Sequence, residues 1–262
     1  MPLTNFQSRV ALLLSKNRSE DSHLAGGAAL HFAPQSIRYS LDLDYFHDTE
    51  QRVASAFQAD RKTLQENHIQ VEIEMNQPGY IRCIVQLGNE VTKVEWAQDS
   101  SWRFMPVQWD QNLGFVLHPI DLAINKLLAL AGRDEPRDFL DVHHTHDSIL
   151  PLGAQCWAAC GKDPGFNPLS LLDLIRRRGK YHQSDFDRLH LVRPVDLQKL
   201  KINWLKMLES AETFIRKAPA ENIGCLYYSF QTQSFFEPNT FPTTQDSGLH
   251  YGKPGGVLPK VI

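Results

Sequence analysis

The chain has 262 residues, 42% of them hydrophobic and 22% charged, with a formal net charge of −3. This is the balance of an ordinary folded protein of one or two domains, long enough to bury a core without covalent staples. It excludes a chain-wide basic field for nucleic acid, although a local patch would be enough to bind one.

Four cysteines, Cys83, Cys156, Cys160 and Cys225, follow no disulfide spacing, so a reducing compartment is expected. The apolar run Val10 to Leu14 is too short for a signal-peptide core. No window approaches the roughly 18 apolar residues of a membrane span. The expectation is a cytoplasmic protein with no membrane partner.

In chain order, residues 3–16 predict a short helix with Phe6, Val10 and Leu13 or Leu14 on one face. HLAGGAALHF predicts a short strand, a turn at Gly26-Gly27 and a small helix. RYSLDLDYFHD alternates strictly, placing Ser40, Asp42, Asp44 and Phe46 on one face and Leu41, Leu43 and Tyr45 on the other. Asp48 or Thr49 can cap a helix over about 49–66. Three strands follow. IQVEIEM alternates, YIRCIVQL is apolar enough for a central strand, and EVTKVEWA puts Val91, Lys93 and Glu95 on one side. Gly79 and Gly88-Asn89 supply the turns. A further short strand covers Trp102 to Val107.

After His118 the pattern becomes helical. Pro119 suits a first helical position, and Ile120 to Ala131 is apolar nearly all round, as in a buried helix. Further helices start near Pro136, at Asn167-Pro168 and at Pro194, the last running over about 194–217 on a stripe of Leu197, Leu200, Trp204, Leu208, Ala211 and Ile215. From about Glu221 the chain is rich in Gly, Pro, Ser and Thr and reads as a loose tail, or one ordered only on contact. Strands before helices imply an α+β protein. Its expected parts are a core with a mixed β-sheet flanked by helices (1–117), a mainly helical lobe (118–220) and an irregular tail (221–262).

The acidic residues carry the chemistry. Asp42 and Asp44, two apart on a strand, point the same way with Cα atoms roughly 6.5–7 Å apart. Two such carboxylates repel each other unless a cation lies between them. Magnesium takes hard carboxylate oxygens, and phosphoryl transfer by two ions sets them about 3.5–4 Å apart. A third acid from a neighbouring strand would complete the cage. Glu95 is the best candidate, with Glu72 and Glu74 as competitors. The Gly26-Gly27 turn exposes backbone N–H groups suited to phosphate, and Ser40 can donate to a phosphate oxygen.

Taken in order, LAGGAALHF, RYSLDLDYF and KVEW resemble the polymerase-β-type nucleotidyltransferase superfamily. More closely, they resemble the AbiEii/AbiGii toxin group of abortive-infection and toxin–antitoxin systems. DLAINKLLAL–GRDEPRDFLDV adds to the resemblance with Lys126, Arg137, Asp138 and Asp141, and the likeness spans roughly residues 22–145. It implies a nucleotidyltransferase fold with Asp42, Asp44 and Glu95 holding two Mg2+ ions, a nucleoside triphosphate as cosubstrate and an antitoxin as partner. Some relatives extend the 3′ end of tRNA, so an RNA acceptor is implied. On this reading Gly26, Gly27 and Ser40 contact the β- and γ-phosphates; Arg38 can also face the triphosphate, although an exposed arginine flanking a strand is the default reading. Lys126 neutralises charge at the leaving group, and Asp138 positions Lys126 or the nucleotide. Two departures are visible: Gly27 stands where many members have serine, and Glu95 where aspartate is common.

Other clusters have plainer readings. Arg137 and Asp141 can pair within one helix. His143, His144 and His146 with Cys156 and Cys160 raise a zinc site, but CWAAC is apolar and no zinc is expected. Arg176, Arg177, Arg178 and Lys180, with Tyr181 and His182, can hold an RNA backbone or simply end a helix. The functional expectation is a nucleotidyltransferase acting on a hydroxyl, most simply the tRNA 3′ end. The alternatives are a catalytically inactive binding or regulatory protein on the same scaffold, an enzyme that AMPylates protein, and a metal-dependent phosphohydrolase.

Overall fold

A computed structural model describes residues 3–32, 36–243 and 246–260. The chain divides into two compact units, Met1–His118 with Pro254–Gly256, and Pro119–Lys253 with Val257–Ile262.

In the first unit, helix α1 (Asn5–Leu14) starts at a capping box between Thr4 and Gln7. Strand β1 (Ser22–Ala25) leads into the short helix α2 (Gly26–Leu30), and β2 (Asp42–His47) into α3 (Glu50–Glu66), capped by Thr49. The strands β3 (Gln70–Gln77), β4 (Tyr80–Leu87) and β5 (Glu90–Gln98) form a meander. A two-residue strand, β6 (Trp102–Arg103), and a hairpin of β7 (Gln108–Asp110) and β8 (Gly114–Val116) complete the unit. The sheet order is β3-β4-β5-β2-β1-β8-β7. It is mixed, with β5–β2 and β1–β8 parallel and the other neighbours antiparallel.

The alternation in the sequence sets what each face carries. Leu43, Tyr45, Val94, Trp96, Cys83 and Val85 are buried on one face, against Val53, Phe57 and Leu64 of α3 and Val10 and Leu14 of α1. Asp42, Asp44, Lys93, Glu95, Tyr80 and Arg82 therefore share the opposite face. The central strand is β2, not β4. YIRCIVQL lies one place from the edge, and its Tyr80, Arg82 and Ile84 positions are only partly covered. β3 is the edge strand and is exposed almost throughout.

Beneath the acidic strands lies an ion pair closed to solvent. Arg18 Nη2 meets both Asp60 oxygens, at 2.6 and 2.5 Å. Asp60 also accepts from Trp96 Nε1 at 2.7 Å and Asn17 Nδ2 at 2.9 Å, and the Arg18 guanidinium stacks over Tyr45 at 4.4 Å. Because Tyr45 follows Asp44 and Trp96 follows Glu95, this network anchors both acid-bearing strands from below.

In the second unit, α4 (Pro119–Arg133), α5 (Pro136–Ser148), α6 (Leu152–Lys162), α7 (Pro168–Arg176), the one-turn α8 (Gln183–Asp187) and α9 (Leu197–Lys217) pack around Trp157, Phe139, Phe186 and Trp204. Asp196, rather than Pro194, opens α9, its side chain accepting from Lys199 N. Leu197 and Leu200 are only partly buried, and Met207 and Phe214 join the buried stripe in their place.

The segment expected as an irregular tail is corrected most. It builds a three-stranded antiparallel sheet of β9 (Leu226–Ser229), β10 (Ser234–Phe236) and β11 (Ser247–His250) in the order β10-β9-β11. Tyr227 packs on Phe214 and Phe241, and Glu237 accepts from Ala154 N at 2.8 Å at the start of α6. Thr244, Gln245, Val261 and Ile262 of that segment lie outside the described residues. No helix among the described residues is long and apolar enough to cross a membrane.

Candidate active site

Parallel pairing of β2 with β5 sets Asp42 opposite Lys93 and Asp44 opposite Glu95. Carboxylate oxygens of Asp42, Asp44 and Glu95 lie within 4.8 Å of one another. Glu95, not Glu72 or Glu74, is thus the third acid; both competitors sit exposed on edge strand β3. Three hard anionic donors at this spacing suit Mg2+, which takes carboxylate oxygens and keeps several waters.

Antiparallel pairing of β1 sets Ala25 opposite Asp44, so the chain turns into α2 directly beside that carboxylate. Gly26 has φ +62°, and a Cβ there would fall onto the Asp44 carboxyl group. Only glycine meets both conditions. At Gly27 a Cβ would stand 2.9 Å from Arg38 Nη2 and 3.0 Å from Ser40 Oγ. The space that a serine would use at residue 27 is therefore filled by a guanidinium and a hydroxyl from a later segment.

Ser40 lies just before β2. Its hydroxyl donates to Asp42 O at 3.0 Å and lies 3.3 Å from Asp42 Oδ1. Its carbonyl accepts from Gln7 Nε2 at 3.1 Å, and the same amide reaches Thr92 Oγ1 at 3.2 Å. The residue that closes the α1 capping box thus also ties the entrances of both acid-bearing strands together. Arg38, expected by default as an exposed side chain, is 4% exposed, and its Nη1 donates to Tyr39 O at 3.2 Å.

Three residues missed as site members surround the acids. Lys93 Nζ lies 3.2 Å from Asp42 Oδ2 and 3.0 Å from Glu95 Oε1. Arg82 Nε meets Glu95 Oε1 at 3.0 Å, and Tyr80 Oη donates to Glu95 Oε2 at 2.8 Å. Burial opposes the Lys93 charge, but its bonds to Glu95 and Asp42 outweigh that and raise its pKa above the ordinary lysine value. The Glu95 charge does the same for Arg82; for Tyr80, desolvation raises the phenol first and Glu95 adds to it. The signal was present in the sequence. The two-residue turn at Gly88-Asn89 pairs Leu87 with Glu90, and counting back from it puts Arg82 opposite Glu95.

Lys126 and Asp138 belong to the second unit. Lys126 Nζ lies 2.8 Å from Asp141 Oδ2 and 3.5 Å from Asp138 Oδ1. Both aspartates are fully buried, and Arg133 holds Asp138 through Nε at 2.5 Å and Nη2 at 2.9 Å. Asp141 thus binds Lys126. In the basic cluster, Arg176 is spent on Glu212 at 2.6 Å, and Arg178 meets Asp134 at 3.3 Å. Tyr181 Oη donates to Asp134 at 2.6 Å, and Arg176, Arg177 and Lys180 are exposed. His146 Nδ1 accepts from Leu152 N at 2.9 Å, and Cys160 Sγ donates to Cys156 O at 3.3 Å.

A mixed sheet whose central strand carries two aspartates beside a glycine turn, followed by a helical part, defines a nucleotidyltransferase-type α+β fold. The comparison with solved structures agrees. MenT4, a nucleotidyltransferase toxin from Mycobacterium tuberculosis, matches with a TM-score of 0.54 at 16% identity, over 82% of this chain and 83% of its own. A protein of H. pylori described as a nucleotidyltransferase matches with a TM-score of 0.52 at 16% identity, over 81% of this chain and 95% of its own. No protein-family model matches the sequence, and no curated protein does.

Proposed function

We propose that this protein is a divalent-metal-dependent nucleotidyltransferase that moves a nucleoside monophosphate from a triphosphate to a hydroxyl, with the 3′ end of tRNA as acceptor. In this reading it acts as a toxin of the AbiEii/AbiGii type, under control of an antitoxin. The observation that carries the proposal is the convergence of Asp42, Asp44 and Glu95 beside the bare backbone of Gly26-Gly27. The fold shared with a nucleotidyltransferase toxin supports the toxin role.

Asp42 and Asp44 would hold both Mg2+ ions, and Glu95 one of them. Bound magnesium supplies charge neutralisation along the triphosphate and eases ionisation of the acceptor hydroxyl. The chain's own residues do the rest. Gly26 and Gly27 present backbone to the β- and γ-phosphates without side-chain obstruction, with Ser40 and Arg38 beside them. Glu95 accepts the hydroxyl proton as the acceptor oxygen bonds to the α-phosphorus. The bond from that phosphorus to the bridging oxygen breaks, and pyrophosphate leaves. Lys126, held by Asp138 and Asp141, is the lysine to which the resemblance assigns the charge on the departing phosphates.

One observation favours a second reading, a binding protein without catalysis: Lys93 already pairs with Asp42 and Glu95. Incubation with each labelled triphosphate, Mg2+ and total tRNA separates the two. Label on RNA with wild type, lost in Asp44→Ala, supports transfer to RNA. Label on protein instead points to AMPylation. Phosphate released with no acceptor points to a phosphohydrolase, and triphosphate bound without transfer to the binding protein.

A further inference from the structure

We propose that Lys93 is a displaceable counter-ion that competes with the divalent cation and so sets how tightly the acids hold it. The proposal rests on the metal-site reading above and goes beyond it. Three carboxylates gather within 4.8 Å, and two of them, Asp42 and Glu95, already share the Lys93 ammonium at 3.2 and 3.0 Å. Arg82 makes a second cationic contact, to Glu95 Oε1, from the flank on β4. Lys93 reaches an acid on each of the two strands, and it lies opposite Asp42 in the pairing of β2 with β5.

Its position is that of a cation shared between ligands, not of a support behind them. A metal ion reaching Asp42 and Glu95 would meet a like charge bonded to the same oxygens. Unscreened repulsion at that range in a half-buried site is large compared with thermal energy. The Lys93 side chain is 29% exposed and its stem is flexible, so the ammonium can withdraw toward solvent without disturbing the sheet. The bridge also offsets the mutual repulsion of the carboxylates it joins. Metal entry then exchanges one cation for another, and the released ammonium is free to meet the phosphates of an incoming triphosphate.

The test is direct titration of Mn2+ into the full chain by calorimetry, with no nucleotide present, for wild type, Lys93→Met, Arg82→Met and Asp44→Asn. Lys93→Met is expected to bind Mn2+ about tenfold more tightly than wild type, whereas Arg82→Met, which frees Glu95 to move, is expected to bind more weakly. Asp44→Asn should abolish binding. If Lys93→Met binds equally or more weakly while Asp44→Asn still loses the ion, Lys93 is a support and the counter-ion proposal is overturned, with the metal site intact. If no protein binds Mn2+, or Asp44→Asn binds as wild type does, the metal-site reading itself fails. Thermal unfolding of Lys93→Met without metal checks that the fold is retained. A variant that does not fold is replaced by Lys93→Gln, for which the same tightening is required.

Discussion

Gly26 combines two constraints that no other residue type meets, a φ of +62° and a Cβ position already taken by the Asp44 carboxyl group. Gly88 has nearly the same backbone, φ +59°, but open space around its Cβ position. Alanine at either residue should cost about 1–3 kcal/mol of stability from backbone strain. Only Gly26→Ala should also displace Asp44 and lose Mn2+ binding. Urea unfolding and metal titration of the two variants side by side check this, and equal metal binding in both would count against the role given to the turn. Around Glu95 the neighbours are specific: Tyr80 and Arg82 hold its carboxylate, and Lys93 shares Oε1 with Arg82. Alternation along β4 and β5 makes these neighbours legible once the turn register is used. What the sequence hides is which acid on which strand comes next to β2, because a parallel pairing such as β5 with β2 is set by packing of α3 and the core, not by a local turn.

At the scale of elements, stability is concentrated where the site is anchored. Asp60 on α3 takes hydrogen bonds from Arg18, Asn17 and Trp96 in a place closed to water. Asp60→Ala leaves the Arg18 charge buried without its carboxylate, a loss of about 3–5 kcal/mol. The double variant Arg18→Met/Asp60→Leu should recover most of it, measured as urea midpoints. In the second unit, Glu237 reaches the first turn of α6, and burial pushes its pKa from the ordinary value of 4.5 up to about 7. Between these values the folded state keeps a proton that the unfolded state has released, so stability must fall as pH rises from 4.5 to 7. The effect is on the order of 2 kcal/mol after allowance for solvent access. Glu237→Gln should remove that part of the slope when unfolding is followed across the window. An unchanged slope would show that Glu237 does not titrate there. The surrounding β9–β11 sheet was illegible in the sequence because its strands are only three or four residues long and the connection over 237–246, EPNTFPTTQD, is mostly polar and Pro-containing. Its burial comes from Tyr227 and Phe241 meeting Phe214 of α9, contacts no local pattern announces.

For the molecule as a whole, the order of elements carries most of the fold. A strand, a glycine turn, an Asp-x-Asp strand, a helix and a meander ending in Glu95 lead into helices, and the same architecture recurs in nucleotidyltransferases at 16% identity. The hairpin of β7 and β8 was not legible, because strands this short, with a single partner contact to β1, leave little periodicity to read. The proposed function has Asp42, Asp44 and Glu95 hold cations between two strands. The most direct measurement is a crystal of the protein grown with Mn2+ and a non-hydrolysable triphosphate, read by anomalous scattering. The account predicts a peak about 2.0–2.3 Å from oxygens of at least two of these three carboxylates, with Lys93 withdrawn from Asp42. A triphosphate bound elsewhere, or an anomalous map empty at the acids while Lys93 still bridges them, would contradict it.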